Sequence, residues 1–169
     1  MGSLLRNAIA VLAAGLMSAA ALAQDVYYGQ LDLYSLEVPW GWTVLPEGSL
    51  QADVAIASPG GVGRGSIQVV IANPGPTLED DAAYALGGSL ITQQRPVEVD
   101  GFPCLYVAST GPRGEGSNTV FCTFTIPFED GPSEVGIMIT QTMHPDEIAS
   151  QEPVFWQVVD SVRFHEMLY

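Results

Sequence analysis

Cys104-Leu-Tyr-Val-Ala-Ser109 and Thr119-Val-Phe-Cys-Thr-Phe-Thr-Ile126 flank the run Thr110-Gly-Pro-Arg-Gly-Glu-Gly-Ser-Asn118. The flanks are rich in β-branched and aromatic residues, which suit a pleated surface, while glycine and proline in the middle favour a loop. The stretch reads as a β-hairpin. Folded about Arg113, it sets Cys104 opposite Cys122, Leu105 opposite Phe121 and Tyr106 opposite Val120. Directly opposed residues at a non-hydrogen-bonded position lie about 4.5 Å apart at Cα, within the span of a disulfide. The chain has two cysteines, and their spacing is not the Cys-x-x-Cys of a redox motif, so a structural disulfide is expected. Apolar side chains fall on both faces of these strands. A sheet of that kind needs cover on both sides, and helices can supply it.

The elements around the hairpin fit this scheme. Tyr34, Leu36 and Val38 alternate with Ser35 and Glu37 as a half-buried strand that Pro39 stops. Val54–Ser58 and Ile67–Ala72 read as two further strands, joined by Pro59-Gly-Gly-Val-Gly-Arg-Gly65. After the break Asn73-Pro-Gly-Pro76, Thr77 is placed to cap a helix with Asp80 three residues on, a capping-box arrangement. Leu78, Ala82, Leu86 and Leu90 repeat at helical spacing, which predicts a helix running through Gly87-Gly88. Pro96 closes that region, a strand starts at Val97, and Asp100-Gly101 is a hairpin turn signal. Val135, Ile137 and Ile139 mark the last long strand. Ser150 is expected to cap a final helix with Pro153 in its first turn and Phe155, Val158, Val159 and Val162 as its apolar stripe. The expected fold class is α+β, an antiparallel β-sheet covered by helices, in the order strands, helix, four antiparallel strands, helix.

The first 23 residues read as an address. Arg6 gives a positive start, Ala8–Ala21 is an apolar run, and Ala21-Leu22-Ala23 offers the small residues a signal peptidase accepts. Cleavage is expected between Ala23 and Gln24, leaving a single domain over 24–169 in an oxidising, extracytoplasmic compartment. Periplasm is the expected location, with full secretion as the alternative; contact with a membrane is expected only through an uncleaved leader. Removing the leader removes Arg6 and leaves four Arg and no Lys against 19 Asp plus Glu, a net of −15. Such a balance repels nucleic acid and anionic lipid headgroups and favours basic partners.

Three motifs together resemble a known family. Glu37-Val-Pro-Trp-Gly-Trp42 resembles the P-x-G-W opening of the PsbP-like family and its bacterial DcrB-like relatives. Val99-Asp-Gly-Phe-Pro103 is similar to that family's mid-chain hairpin, and Asp160-Ser-Val-Arg-Phe164 to its closing helix. The resemblance spans residues 26 to 164. It implies an α/β/α sandwich and an extracytoplasmic accessory protein that binds other macromolecules rather than one known chiefly for catalysis. The photosystem members dock through basic residues, and several bacterial relatives carry a lipobox cysteine. This chain departs from both patterns, and no family binding residue is carried over.

Candidate chemistry is sparse. His144-Pro-Asp-Glu147 joins an imidazole to two carboxylates, but a metal site needs three or four convergent ligands. Glu79-Asp80-Asp81 suits the electropositive start of a helix better than a calcium loop, whose ligands alternate. Gly60-Gly-Val-Gly-Arg-Gly65 lacks the lysine and the following helix of a phosphate loop. The nucleophile elbow Gly-x-Ser-x-Gly is absent. No catalytic, cofactor-binding or metal-ligating residue is therefore assigned, and no cofactor is expected. Trp40 and Trp42, beside Pro39 and Gly41, are the aromatic residues expected to contact a partner; Tyr27, Tyr28 and Phe102 are further aromatic anchors. The expectation is a non-catalytic accessory protein with an acidic surface that binds a protein of basic character. The alternatives are an immunity or inhibitor protein of the same fold, and a periplasmic enzyme using His144 and the acids beside it.

Overall fold

The computed structural model describes residues 25–128 and 131–165. The expected leader and the expected cleavage between Ala23 and Gln24 lie outside the described residues. In chain order the elements are β1 (Val26–Tyr28), β2 (Tyr34–Glu37), β3 (Thr43–Val44), β4 (Val54–Ala57), β5 (Gly65–Ala72), α1 (Leu78–Ala85), β6 (Leu90–Val99), β7 (Phe102–Thr110), β8 (Gly116–Phe128), β9 (Gly131–Met143), α2 (Ile148–Ser161) and β10 (Arg163–Phe164). A seven-stranded sheet runs β3-β4-β5-β9-β8-β7-β6, and a small sheet runs β1-β2-β10. Every pairing is antiparallel. Among the described residues no helix is long and apolar enough to cross a membrane.

The hairpin of β7 and β8 takes the expected register, with Cys104 on Cys122, Leu105 on Phe121 and Tyr106 on Val120. Its loop is tighter than the composition suggests, because Gly116–Asn118 already pair in β8. Cys104 and Cys122 form a disulfide with their Cα atoms 4.6 Å apart, the closeness of a non-hydrogen-bonded pair.

Successive residues of the central strands go to opposite faces. Tyr106, Val120, Ile137 and Ile139 join Ile56, Ile67 and Val69 on one face. That face packs against Phe155, Val158 and Val159 of α2 and against Tyr34 and Leu36 of the small sheet. Leu105, Val107 and Phe121 point the other way and meet Ala82, Leu78 and Leu86 on or beside α1. The two-sided cover read from the sequence is therefore present, with a second sheet added to one layer.

Three local expectations change. First, α1 stops at Ala85 instead of continuing to Leu90: the chain turns over Leu86–Ser89, the Ser89 N–H donating to the Leu86 carbonyl at 2.9 Å, and Gly88 takes the φ of +87° that this turn needs and a helix does not allow. Leu90 opens β6 and is 70% exposed. Second, Pro96 lies inside β6 rather than before a strand. This is possible because β6 is the sheet edge, where a missing N–H costs no ladder bond. Third, α2 begins at Ile148, after a 3-10 turn over Pro145–Glu147, so Pro153 sits within the helix. The Ser150 hydroxyl donates back to the Glu147 carbonyl at 2.9 Å and does not cap. The Thr77 cap holds: its Oγ1 accepts from the Asp80 N–H at 3.1 Å. Asp100-Gly101 forms the expected two-residue turn, both residues at positive φ.

The disulfide closes a loop between residues 18 apart in sequence. Replacing both cysteines by alanine should lower the unfolding free energy by about 3 kcal/mol in urea titrations. Free-thiol titration of the denatured, unreduced exported protein should find none, and two thiols per chain would contradict the bridge.

Candidate functional site

The Pro39–Trp42 turn follows from its residues. Pro39 ends β2, the Trp42 N–H donates to the Pro39 carbonyl at 3.0 Å, and Gly41 takes φ +78°, the left-handed conformation this turn needs. Trp40 is thereby thrust to the tip, where it is 77% exposed. Trp42 turns back and lies half-buried against the core. Of the two tryptophans, Trp40 presents its ring to solvent. The Val38 N–H donates to the Asp25 carbonyl at 2.8 Å, which sets the turn beside the start of β1. There Val26 and Tyr28 also stand exposed on an edge strand. Tyr27 between them is half-buried, and Phe102 packs edge-on against Phe164, centroids 5.4 Å apart.

On the same small sheet His165 Nε2 lies 2.9 Å from Ser35 Oγ, and the Tyr28 ring meets the imidazole edge-on. A serine–histidine contact becomes a nucleophile when an acid orients the imidazole and donors await an oxyanion. Ser35 is buried, and among the described residues no carboxylate lies within ion-pair distance of His165.

Two motifs that are far apart in sequence meet. Arg64, at the end of the glycine-rich connection, donates to Glu147 Oε1 at 2.5 Å and lies 3.4 Å from His144 Nδ1. The His144 N–H donates to the Arg64 carbonyl at 3.0 Å. His144 Nδ1 also accepts from the Asp146 N–H at 3.3 Å, so the imidazole caps the 3-10 turn. The Arg64 guanidinium, and after it the Ser150 hydroxyl, hold the Glu147 carboxyl below the usual range. The glycine-rich segment is a hairpin connection from β4 to β5, pinned by charge to the start of α2. Among the described residues no three His, Cys, Asp or Glu side chains are grouped to hold a metal. Within the Glu79-Asp80-Asp81 run, Asp80 accepts from the Thr77 hydroxyl at 2.8 Å and one carboxylate oxygen of Asp81 accepts from the Gly75 N–H at 2.7 Å.

Two polar arrangements escape sequence reading because their members are scattered. Tyr106, Asn118 and Gln141 form a buried chain: the Tyr106 hydroxyl donates to Asn118 at 2.8 Å, Asn118 to Gln141 at 3.2 Å, and Gln141 to the Gln151 carbonyl at 2.8 Å. This chain ties the sheet to α2. A Cβ at Gly65 would run into the Gln151 side-chain amide, which would have to move aside. The second arrangement centres on Asp53. Its Oδ2 accepts from the Tyr34 hydroxyl and from the Gln30 N–H, joining the small sheet to β4. Burial, reinforced by that bond, pushes the Tyr34 phenol well above its ordinary range.

No protein-family model matches the sequence, and neither does any curated protein. Solved structures do match. Cyanobacterial PsbP (CyanoP) from Synechocystis is 13% identical with a TM-score of 0.60, the match covering 87% of this chain and 96% of that one. LpqN of Mycobacterium tuberculosis, described as involved in cell envelope biogenesis, is 14% identical with a TM-score of 0.57, covering 83% of this chain and 84% of that one. Antiparallel sheets flanked by two helices, superposable on CyanoP over most of both chains, make this a PsbP-like fold.

Proposed function

We propose that this protein is a non-catalytic, extracytoplasmic accessory protein that binds a basic protein partner. The observation that carries the reading is Trp40, an indole held 77% exposed on a turn whose conformation Pro39 and Gly41 fix in advance. A preset aromatic loses little entropy when it is covered, which is why such residues anchor interfaces. Charge supports the chemistry of the partner. Of the four arginines beyond the leader, Arg64 is paired with Glu147 and Arg95 stacks over Tyr106 and Trp156 at 4.9 and 5.1 Å. Arg163 donates to the Asp160 and Val162 carbonyls. The acidic excess is left with few free cations to offset it. The likeness of fold to CyanoP and to LpqN, a protein of cell envelope biogenesis, fits an extracytoplasmic place, as do the leader and the disulfide.

What supports leaving catalysis out is the use made of His144. Its Nδ1 caps a turn, its backbone N–H donates to the Arg64 carbonyl, and Glu147 pairs with the Arg64 guanidinium. Trp40→Ala should weaken capture of the partner by tenfold or more in affinity, while His144→Ala should leave capture intact. Capture should also fall as salt rises from about 0.05 to 0.5 M, since exposed charges are screened over a shorter range. Turnover lost with His144→Ala in an activity screen would contradict the proposal.

The anchor has its own pH signature. A carboxyl with a lowered folded-state pKa contributes stability above its ordinary value, and this is lost as pH falls through the lowered one. Carbon-detected NMR should show Glu147 titrating below the ordinary glutamate value near 4.5, and returning toward it in Arg64→Ala. A Glu147 midpoint unchanged by Arg64→Ala would contradict the anchoring role.

A further inference from the structure

We propose that the groove between α1 and the seven-stranded sheet binds the apolar tail of a single-chain amphiphile whose head group is cationic. The groove exists because α1 is short. Eight residues cover β7 and β8, the chain then turns away over Leu86–Ser89, and among the described residues the neighbouring surface of β5 and β9 stays open. The space measures about 360 Å³. Its floor is Val70, Phe121 and Met138, and its walls are Pro74, Tyr84 and Ala85. Gly136 lets one wall close in: a Cβ there would come within 3.3 Å of the Ala72 carbonyl and 3.5 Å of Pro74.

Size and chemistry select the occupant. At ~30 Å³ for each water-sized group, the groove holds about a dozen such groups, which suits an alkyl chain. Burying an apolar chain against these side chains is favourable at about 25 cal/mol per Å². The charged side chain at the groove is Asp81, and Tyr84 lies three residues further along α1, on the same side of the helix. The Tyr84 ring is 93% exposed at the mouth. A carboxylate beside an open aromatic face attracts an amine or quaternary ammonium. An anionic head would meet Asp81 together with Glu79 and Asp80 in the same helical turn. The proposal uses no residue of the Trp40 surface, so it stands or falls separately from the partner reading.

Calorimetric titration tests it with three probes: dodecyltrimethylammonium and dodecyl sulfate, each below its micellar concentration, and tetramethylammonium. The wild type should bind dodecyltrimethylammonium at least tenfold more tightly than dodecyl sulfate, and tetramethylammonium should not bind measurably. Ala85→Trp, which fills the groove from an exposed helical position, should weaken dodecyltrimethylammonium binding tenfold or more. Tyr84→Ala, which removes a side chain from solvent and leaves the core intact, should weaken it severalfold. The proposal is overturned if the wild type binds neither amphiphile, if the two bind equally, if tetramethylammonium binds as well as its dodecyl counterpart, or if binding is unchanged in both variants.

Discussion

Strands β7, β8 and β9 are apolar on both faces, and a sheet in that condition is stable only when water is kept from each side. One face holds Tyr106, Val120, Ile137 and Ile139, the other Leu105, Val107 and Phe121. Every larger feature answers this constraint. The fourteen-residue α2 and the small sheet together seal the first face. Among the described residues the second face receives α1 alone, eight residues seated through Ala82, whose small side chain lets the helix come close. The two layers are therefore unequal, and the inequality locates the open groove. Polar groups follow the same division. The Tyr106–Asn118–Gln141 chain is sealed beneath α2, where each hydrogen bond compensates a buried group that would otherwise cost about 1–3 kcal/mol.

Much of the fold was legible in the sequence because short-range chemistry dictates it. The register of Cys104 with Cys122 follows from a symmetric hairpin and a glycine-rich loop, and Asp100-Gly101 and the Thr77 cap are equally local signals. What was not legible depends on position in the sheet or on distant partners. Pro96 reads as a stop, yet at the outer edge it is harmless. Leu90 continues a helical spacing, yet the chain turns over Leu86–Ser89 first, with Gly88 left-handed. Val26–Tyr28 and Arg163–Phe164 are too short to announce a second sheet, since each exists only by pairing with β2.

The candidate site was legible in the same uneven way. Exposure of Trp40 follows from Pro39 and Gly41 on either side, but the inward turn of Trp42 depends on a core that one strand does not reveal. The glycine-rich segment and His144-Pro-Asp-Glu147 carry no sign in the sequence that they meet. They meet because β5 and β9 pair along their length and bring Gly65 beside Met143. Arg64, unremarkable in a loop, then becomes the cation that both segments share. Asp53 and Gln141 gave no local signal at all, because a lone polar residue in a strand pattern looks the same whether it faces water or a buried partner.

Hydrogen exchange resolved by residue tests the central claim, the unequal cover of a two-faced sheet, most directly. Amides at the centre of β8, around Val120 and Phe121, should open only with global unfolding. Those of α2 from Phe155 to Val159 should approach them. Those of α1 from Ala82 to Ala85 should exchange at least about tenfold faster than α2 after correction for intrinsic rates. Equal protection of the two helices would contradict the account.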